Sequence, residues 1–256
     1  MRPQVVAHRG ASHDIAEHTL AAYVAALDAG ADALECDVRL TMDGHLVCVH
    51  DRHLRRIGAQ GLVSEMTLAE LQAIDFAAWK GDVRSGVTVD PDPDMRGVLT
   101  LHRLLRTVHD YDRHVEVAIE TKHPTRYGGL TEGRLVDVLG DFGWAGPGGP
   151  VRVMSFSFTA LQRVERLAPG VPLVQLVDRA ANWSLLRHVI GEDWWLGAGI
   201  DMLTAHPKLA RRLAQKGRNL HVYTVNTEEQ LKLCLDLQVQ SLITDRPGFL
   251  LGLLGR

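Results

Sequence analysis

The chain reads as an α/β protein, a TIM-type (β/α)8 barrel with a small insertion after the second strand. Three observations predict it. About eight short runs rich in β-formers recur along the sequence. Between them lie segments whose apolar residues repeat at helical spacing. The length, 256 residues, suits one such barrel, which commonly runs to about 250 residues. An open doubly wound sheet would carry Gly-x-Gly-x-x-Gly after its first strand, and His8-Arg9-Gly10 is not that pattern.

The first strand, Gln4 to His8, is apolar and ends in an imidazole, a guanidinium and a glycine. Leu20–Ala29 has a helical pattern that stops at Gly30, a residue suited to a helix C-terminus. Leu34–Val38 is the second strand. Asp43-Gly44 then predicts a tight hairpin that sets Asp37 opposite His50, with Glu35 one step away on the same face. Residues 52–98 are too long for an ordinary barrel connection and predict an inserted cap with its own capping box, Thr67 and Glu70. Its Asp90-Pro91-Asp92-Pro93-Asp94 tract reads as a solvated turn, because the prolines and the missing twelfth-position Glu do not suit a calcium loop. Further strands are read at Val115–Glu120, Val151–Ser155, Leu173–Val177, Ala198–Leu203, Leu220–Val225 and Ser241–Thr244. Helices fit between them at Phe158–Leu167, Ser184–Ile190, Pro207–Lys216 and Glu228–Leu237, the last with a Thr227/Gln230 capping box. Residues 1–256 are thus read as one domain.

Composition narrows the function. Hydrophobic residues make up 46% of the chain, enough for a sizeable core. The formal charge of −3, from 28 basic and 31 acidic residues, provides no overall basic field for nucleic acid or an anionic membrane. No apolar run approaches the roughly 18 residues of a membrane span, and no leader pattern precedes the first strand. Cys36, Cys48 and Cys234 match no zinc spacing and read as reduced buried thiols, so a cytoplasmic protein is expected.

The chemistry gathers at strand ends. Strand alternation puts Glu35 and Asp37 on one face and Cys36 and Val38 on the other. Glu120 and Lys122 close the third strand in the same manner. Barrel enzymes take their catalytic groups from the C-terminal ends of strands, so His8, Arg9, Glu35, Asp37, His50, Glu120 and Lys122 should converge on one rim. Three carboxylates on two strands offer an all-oxygen site for one hard divalent cation, Mg²⁺ or Ca²⁺, rather than zinc.

The ordered motifs His8-Arg9-Gly10, Glu17-His18-Thr19, Glu35-x-Asp37, Thr41-x-Asp43-Gly44, Val47-x-x-His50-Asp51, Glu120-x-Lys122, Val222-Tyr223-Thr224-Val225-Asn226 and Ile243-Thr244-Asp245-Arg246-Pro247 resemble the glycerophosphodiester phosphodiesterase family. The resemblance implies metal-dependent hydrolysis of a small-molecule glycerophosphodiester to glycerol 3-phosphate and an alcohol. It also implies an insertion after the His-Asp motif. Glu35, Asp37 and Glu120 would hold the metal, and His8 and His50 would form the acid–base pair. Arg9 and Lys122 would stabilise phosphoryl charge, and Tyr223 would wall the pocket. Which histidine is the base stays open, as does the attacking oxygen, a neighbouring glycerol hydroxyl or water. Two departures bear on substrate: Ala16-Glu17-His18-Thr19 stands where the family usually has Pro-Glu-Asn-Thr, and Tyr223 where it commonly has Trp.

A lysophospholipase D or sphingomyelinase D-like enzyme of the same fold would take a lysophospholipid or sphingolipid and need an apolar channel, with Trp79, Trp144, Trp183, Trp194 and Trp195 as candidates. A non-catalytic phosphoester-binding barrel should have lost a histidine or a carboxylate, and none is missing. His18 is read as a surface residue at a helix start, and Asp245 as the cap of the final helix. His13, His45, His53, His123 and His206 are read as non-catalytic.

Overall fold

The computed structural model describes residues 2–80, 92–215 and 217–256. Among them are nine strands: β1 Gln4–His8, β2 Ala33–Leu40, β3 Leu46–Cys48, β4 Glu116–Thr121, β5 Val151–Ser155, β6 Leu173–Val177, β7 Trp195–Gly199, β8 Leu220–Tyr223 and β9 Ser241–Thr244. Eight run parallel in the order β1-β9-β8-β7-β6-β5-β4-β2, and pairing of β1 with β2 closes the barrel. Only β3 is antiparallel, extending β2 past the rim. β5 and β6 are buried at every position, as strands covered on both faces must be. Hydroxyl side chains start the helices that follow: Thr19, Thr100, Ser157 and Thr227 each accept an N–H of the first turn.

Register stacks the inward side chains in three layers. Gln4, Glu116, Arg152, His221 and Ser241 form a polar floor, joined by hydrogen bonds from Gln4 to Glu116 and from Arg152 to both. Val6, Ala33, Ala118, Met154, Val174, Leu176 and Ile243 fill an apolar middle. His8, Glu35, Asp37, Glu120 and Tyr223 stand at the C-terminal mouth.

Four elements differ from the sequence reading. Ala198–Leu203 is not a strand: β7 lies earlier, and Ile200–Ala205 is a helix, since a short apolar run has no periodicity that distinguishes the two. The helix expected at Ser184–Ile190 forms at Ala180–Leu186. Helices Leu101–His109 and Leu130–Asp141, not assigned from sequence, complete the outer ring. The hairpin also corrects a register: Val38 pairs with Cys48 and Leu40 with Leu46, which puts Asp37 opposite Val49 rather than His50. The cause is a loop closed by Thr41 N–H to the His45 carbonyl, with Met42, Asp43 and Gly44 (φ 85°) inside it. One residue more than a two-residue turn slips the pairing by one.

The segment after β3 has its own small core. Leu54, Val63, Leu71 and Phe76 pack on Val47 and Val49, and Thr67 and Glu70 form the expected capping box on helix Leu68–Gln72. Residues 81–91, with Asp90 and Pro91 of the Asp-Pro tract, lie outside the described residues, as does Lys216 at the expected end of helix Pro207–Ala214. All three cysteines are free and buried. Among the described residues no helix is long and apolar enough to cross a membrane.

Candidate active site

Two neighbouring strands deliver the acidic groups, and a third, β1, sets His8 beside them. Register places His8 of β1 beside Glu35 of β2, and Asp37 of β2 beside Glu120 of β4. Glu35, Asp37 and Glu120 are all buried, and each offers an oxygen within 4.8 Å of the others. Burial pushes all three carboxyls upward, but they separate in response to their neighbours. Arg9, His18 and Lys122 overcome burial at Asp37 and hold it well below the usual carboxylate range. Burial and the Asp37 charge push Glu35 well up and Glu120 to about 8, against the pull of Arg9 and Lys122.

The cations sit close by. Arg9 Nε is 2.9 Å from Asp37 Oδ2, its NH1 is 3.2 Å from Glu17, and its backbone N–H donates to Glu35 Oε2. Lys122 Nζ lies 2.8 Å from Glu120 and 3.3 Å from Asp37 Oδ1. Even so, Asp37 Oδ1 is buried with no hydrogen-bond partner.

Both histidines are tied through Nδ1 to a carboxylate outside the cluster. His8 Nδ1 is 2.6 Å from Asp245 Oδ1, and its Nε2 is 3.9 Å from Glu35. His50 Nδ1 is 2.7 Å from Asp51 Oδ1, while its backbone carbonyl accepts two hydrogen bonds from Arg39. An Nδ1–H given to a carboxylate leaves Nε2 of each ring for proton transfer. Burial pushes the His50 imidazole down.

The structure brings together His8, Arg9, Glu35, Asp37, His50, Glu120 and Lys122, as expected. Tyr223 joins them edge-on to Phe156, with ring centroids 6.1 Å apart, and its buried hydroxyl has no hydrogen-bond partner.

Two residues were misread from sequence. Asp245 does not cap the final helix, whose N-cap is Arg246. Instead it accepts from Ser12 Oγ and Asn226 Nδ2 and faces His8; these bonds overcome burial and hold its carboxyl at about 2. Its place at the end of β9, the strand beside β1, was the available signal. His18 is not on the surface: it is 4% exposed, 3.0 Å from Asp37 and 2.9 Å from the Tyr23 hydroxyl. The tryptophans do not gather into a channel. Trp79 lies at the mouth under the Arg56 guanidinium, beside Glu17, Val49 and His50, whereas Trp195 stacks on His221 in the floor, Trp144 on Phe142 and Trp194 on Phe158.

A family model described as the glycerophosphoryl diester phosphodiesterase family matches residues 8–249. The chain belongs to this family. Among family relatives, the probable glycerophosphodiester phosphodiesterase 1 of Mycobacterium tuberculosis is 43% identical over 253 residues, covering 96% of this chain and 90% of its own. The glycerophosphodiester phosphodiesterase of Bacillus subtilis is 32% identical over 247 residues, covering 94% and 83%. A solved structure of an Oleispira antarctica phosphodiesterase, in complex with the product sn-glycerol-3-phosphate, superposes with a TM-score of 0.82 at 25% identity, covering 99% of this chain and 97% of that one. The glycerophosphodiester phosphodiesterase match begins at His8, the residue that opens the site.

Proposed function

We propose that the chain hydrolyses glycerophosphodiesters to sn-glycerol 3-phosphate and an alcohol, with one divalent cation at Glu35, Asp37 and Glu120 and with His8 and His50 as the acid–base pair. The observation that carries this reading is the three-carboxylate cluster, its oxygens within 4.8 Å of one another, flanked by two imidazoles each tied through Nδ1 to its own carboxylate. The phosphodiesterase with bound sn-glycerol-3-phosphate, alike in fold over nearly the whole chain, supports the product.

The residues fit a hard cation. Carboxylates that repel one another and a buried Asp37 oxygen with no hydrogen-bond partner are what such an ion would satisfy. When bound, Mg²⁺ or Ca²⁺ would offset the charge of the phosphodiester and the greater charge of its pentacoordinate transition state. Arg9 and Lys122, at the edge of the cluster, add positive charge toward the same phosphoryl oxygens. One histidine accepts a proton at Nε2 from the attacking hydroxyl or water, and the other donates one to the leaving alcohol. Tyr223 and Phe156 wall the mouth on the Lys122 side. The chain acts as one barrel domain, with residues 52–80 forming part of a cap on the His50 side.

The test is turnover of glycerophosphocholine, glycerophosphoethanolamine, glycerophosphoglycerol and lysophosphatidylcholine with Mg²⁺ or Ca²⁺. Glu35→Gln, Asp37→Asn and Glu120→Gln should each abolish release of glycerol 3-phosphate, and a chelator should do the same to the unaltered enzyme. Full activity in excess EDTA after dialysis would exclude the metal. Turnover of lysophosphatidylcholine alone would move the substrate to the lipid class.

A further inference from the structure

Among the described residues, three other than glycine hold a positive φ, and two of these, Arg9 (φ 58°) and His18 (φ 62°), meet at one atom. Asp37 Oδ2 lies 2.9 Å from Arg9 Nε and 3.0 Å from His18 Nε2. The two backbones are tied as well, since the His18 N–H donates to the Arg9 carbonyl at 3.1 Å. A left-handed conformation at a residue with a Cβ persists only where its surroundings hold it, and such strain tends to collect at functional sites.

His18 is gripped from its other side too. Its Nδ1 is 2.9 Å from Tyr23 Oη, and that hydroxyl is 3.2 Å from the Glu35 carbonyl oxygen. A hydroxyl has one proton and donates to one of these. Asp37 Oδ2, a carboxylate oxygen, only accepts, so Nε2 must carry the N–H. In a neutral imidazole Nδ1 then presents a lone pair, to which the Tyr23 hydroxyl donates. The Glu35 carbonyl still accepts from the Arg9 backbone N–H at 3.0 Å, a donor it shares with Glu35 Oε2.

We infer that Tyr23 and His18 form a positioning relay, Tyr23 O–H to His18 Nδ1 and His18 Nε2–H to Asp37 Oδ2, that fixes Asp37 so that Oδ1 is the oxygen left for a cation. The inference rests on the reading of the carboxylate cluster as a cation site. His18 is a positioning residue and touches no reacting atom. The relay is local in sequence: the turn entering helix Leu20–Asp28 supplies the imidazole, and the first turn of that helix supplies the hydroxyl.

The test uses the full chain, stripped of metal with EDTA and titrated with Mn²⁺ followed by electron paramagnetic resonance. His18→Ala should weaken Mn²⁺ binding by about 10–100-fold, as loss of a group that orients a ligand does. His18→Asn, which keeps one N–H, should restore most of that affinity. Tyr23→Phe should weaken it less than His18→Ala. Imidazole ¹⁵N spectra of the metal-free protein give a readout independent of turnover: His18 should be protonated at Nε2 alone, and Tyr23→Phe should shift the His18 Nδ1 resonance, whose lone pair loses its hydrogen bond. A His18→Ala protein that binds Mn²⁺ as tightly as the unaltered chain would overturn the relay, and so would a proton on His18 Nδ1. If His18→Ala does not fold, an unchanged His18 Nδ1 resonance together with unchanged Mn²⁺ affinity in Tyr23→Phe overturns it. An unaltered chain that binds no Mn²⁺ defeats the cation reading itself, a result distinct from the others and seen before any variant is made.

Discussion

At the scale of the residue, each histidine of the proposed acid–base pair is held from behind by a carboxylate. Asp245 is 2.6 Å from His8 Nδ1, and three neighbours keep it ionised, so it fixes both the tautomer and the direction of the ring. Asp245→Asn is therefore expected to lower kcat by roughly 10²–10⁴-fold, about as much as His8→Ala, with KM little changed. Steady-state kinetics on glycerophosphodiesters measures both, and an Asp245→Asn enzyme at full rate would remove Asp245 from the site. His50→Ala should cause a loss of the same order. A p-nitrophenyl ester, whose leaving group needs little protonation, should recover much of the loss in whichever histidine variant lacks the general acid. Recovery in neither variant would count against the acid–base division. The charged strand ends were legible in the sequence because alternation and charge at the end of an apolar run are local signals. Asp245 was not: its partner lies 237 positions away, and an Asp before Arg-Pro reads equally well as a cap. His18 was misplaced for the same reason, since the Asp37 carboxylate that draws it inward arrives on another strand.

At the scale of the element, the loop after β1 depends on one glycine. A Cβ on Gly10 would lie 2.5 Å from the Ala22 carbonyl carbon and 2.6 Å from its oxygen, and Gly10 also has φ +86°. Backbone cannot yield as a flexible side chain does, so Gly10→Ala should cost on the order of 3–5 kcal/mol. Denaturant titration would show it, and an unchanged midpoint would mean that helix Leu20–Asp28 can shift. The segment after β3 makes the contrasting case. Its core is small, so Leu71→Ala should cost about 2–5 kcal/mol locally. Hydrogen exchange should then accelerate across residues 52–80 while the parallel strands stay protected; acceleration across the whole barrel would show that the segment belongs to the main core. Most strands were legible because buried parallel strands are short, dense apolar runs. β7 was read three residues late because Ile200-Asp201-Met202-Leu203 is as apolar as a strand, and only packing shows that it turns. The hairpin slipped by one because loop length, rather than the Asp43-Gly44 pair, sets register.

At the scale of the whole molecule, the layered interior separates two sets of polar groups. His221, in the floor, is 1% exposed, and neither ring nitrogen has a hydrogen-bond partner. Burial and the neighbouring Arg152 push its imidazole well below its ordinary value. The unfolded chain takes up this proton near pH 6.5 and the folded chain only at much lower pH. In that window the unfolded state binds more protons, so stability falls as pH drops below about 6.5, by up to about 1.4 kcal/mol per unit. His221→Phe should flatten that decline, which melting temperatures between pH 5 and 7.5 would measure. An equally steep decline in the variant would assign the acid sensitivity elsewhere. The same variant should leave the pH dependence of kcat unaltered, because seven apolar side chains lie between the floor and the mouth. That middle layer works as an insulating septum. It holds no group that can relay a proton, so it parts the protons of the floor, which bear on how much acid the fold withstands, from those of the mouth, which the proposed reaction uses. Substitutions in the floor are therefore expected to change how the fold tolerates acid while the reaction at the mouth stays as it was.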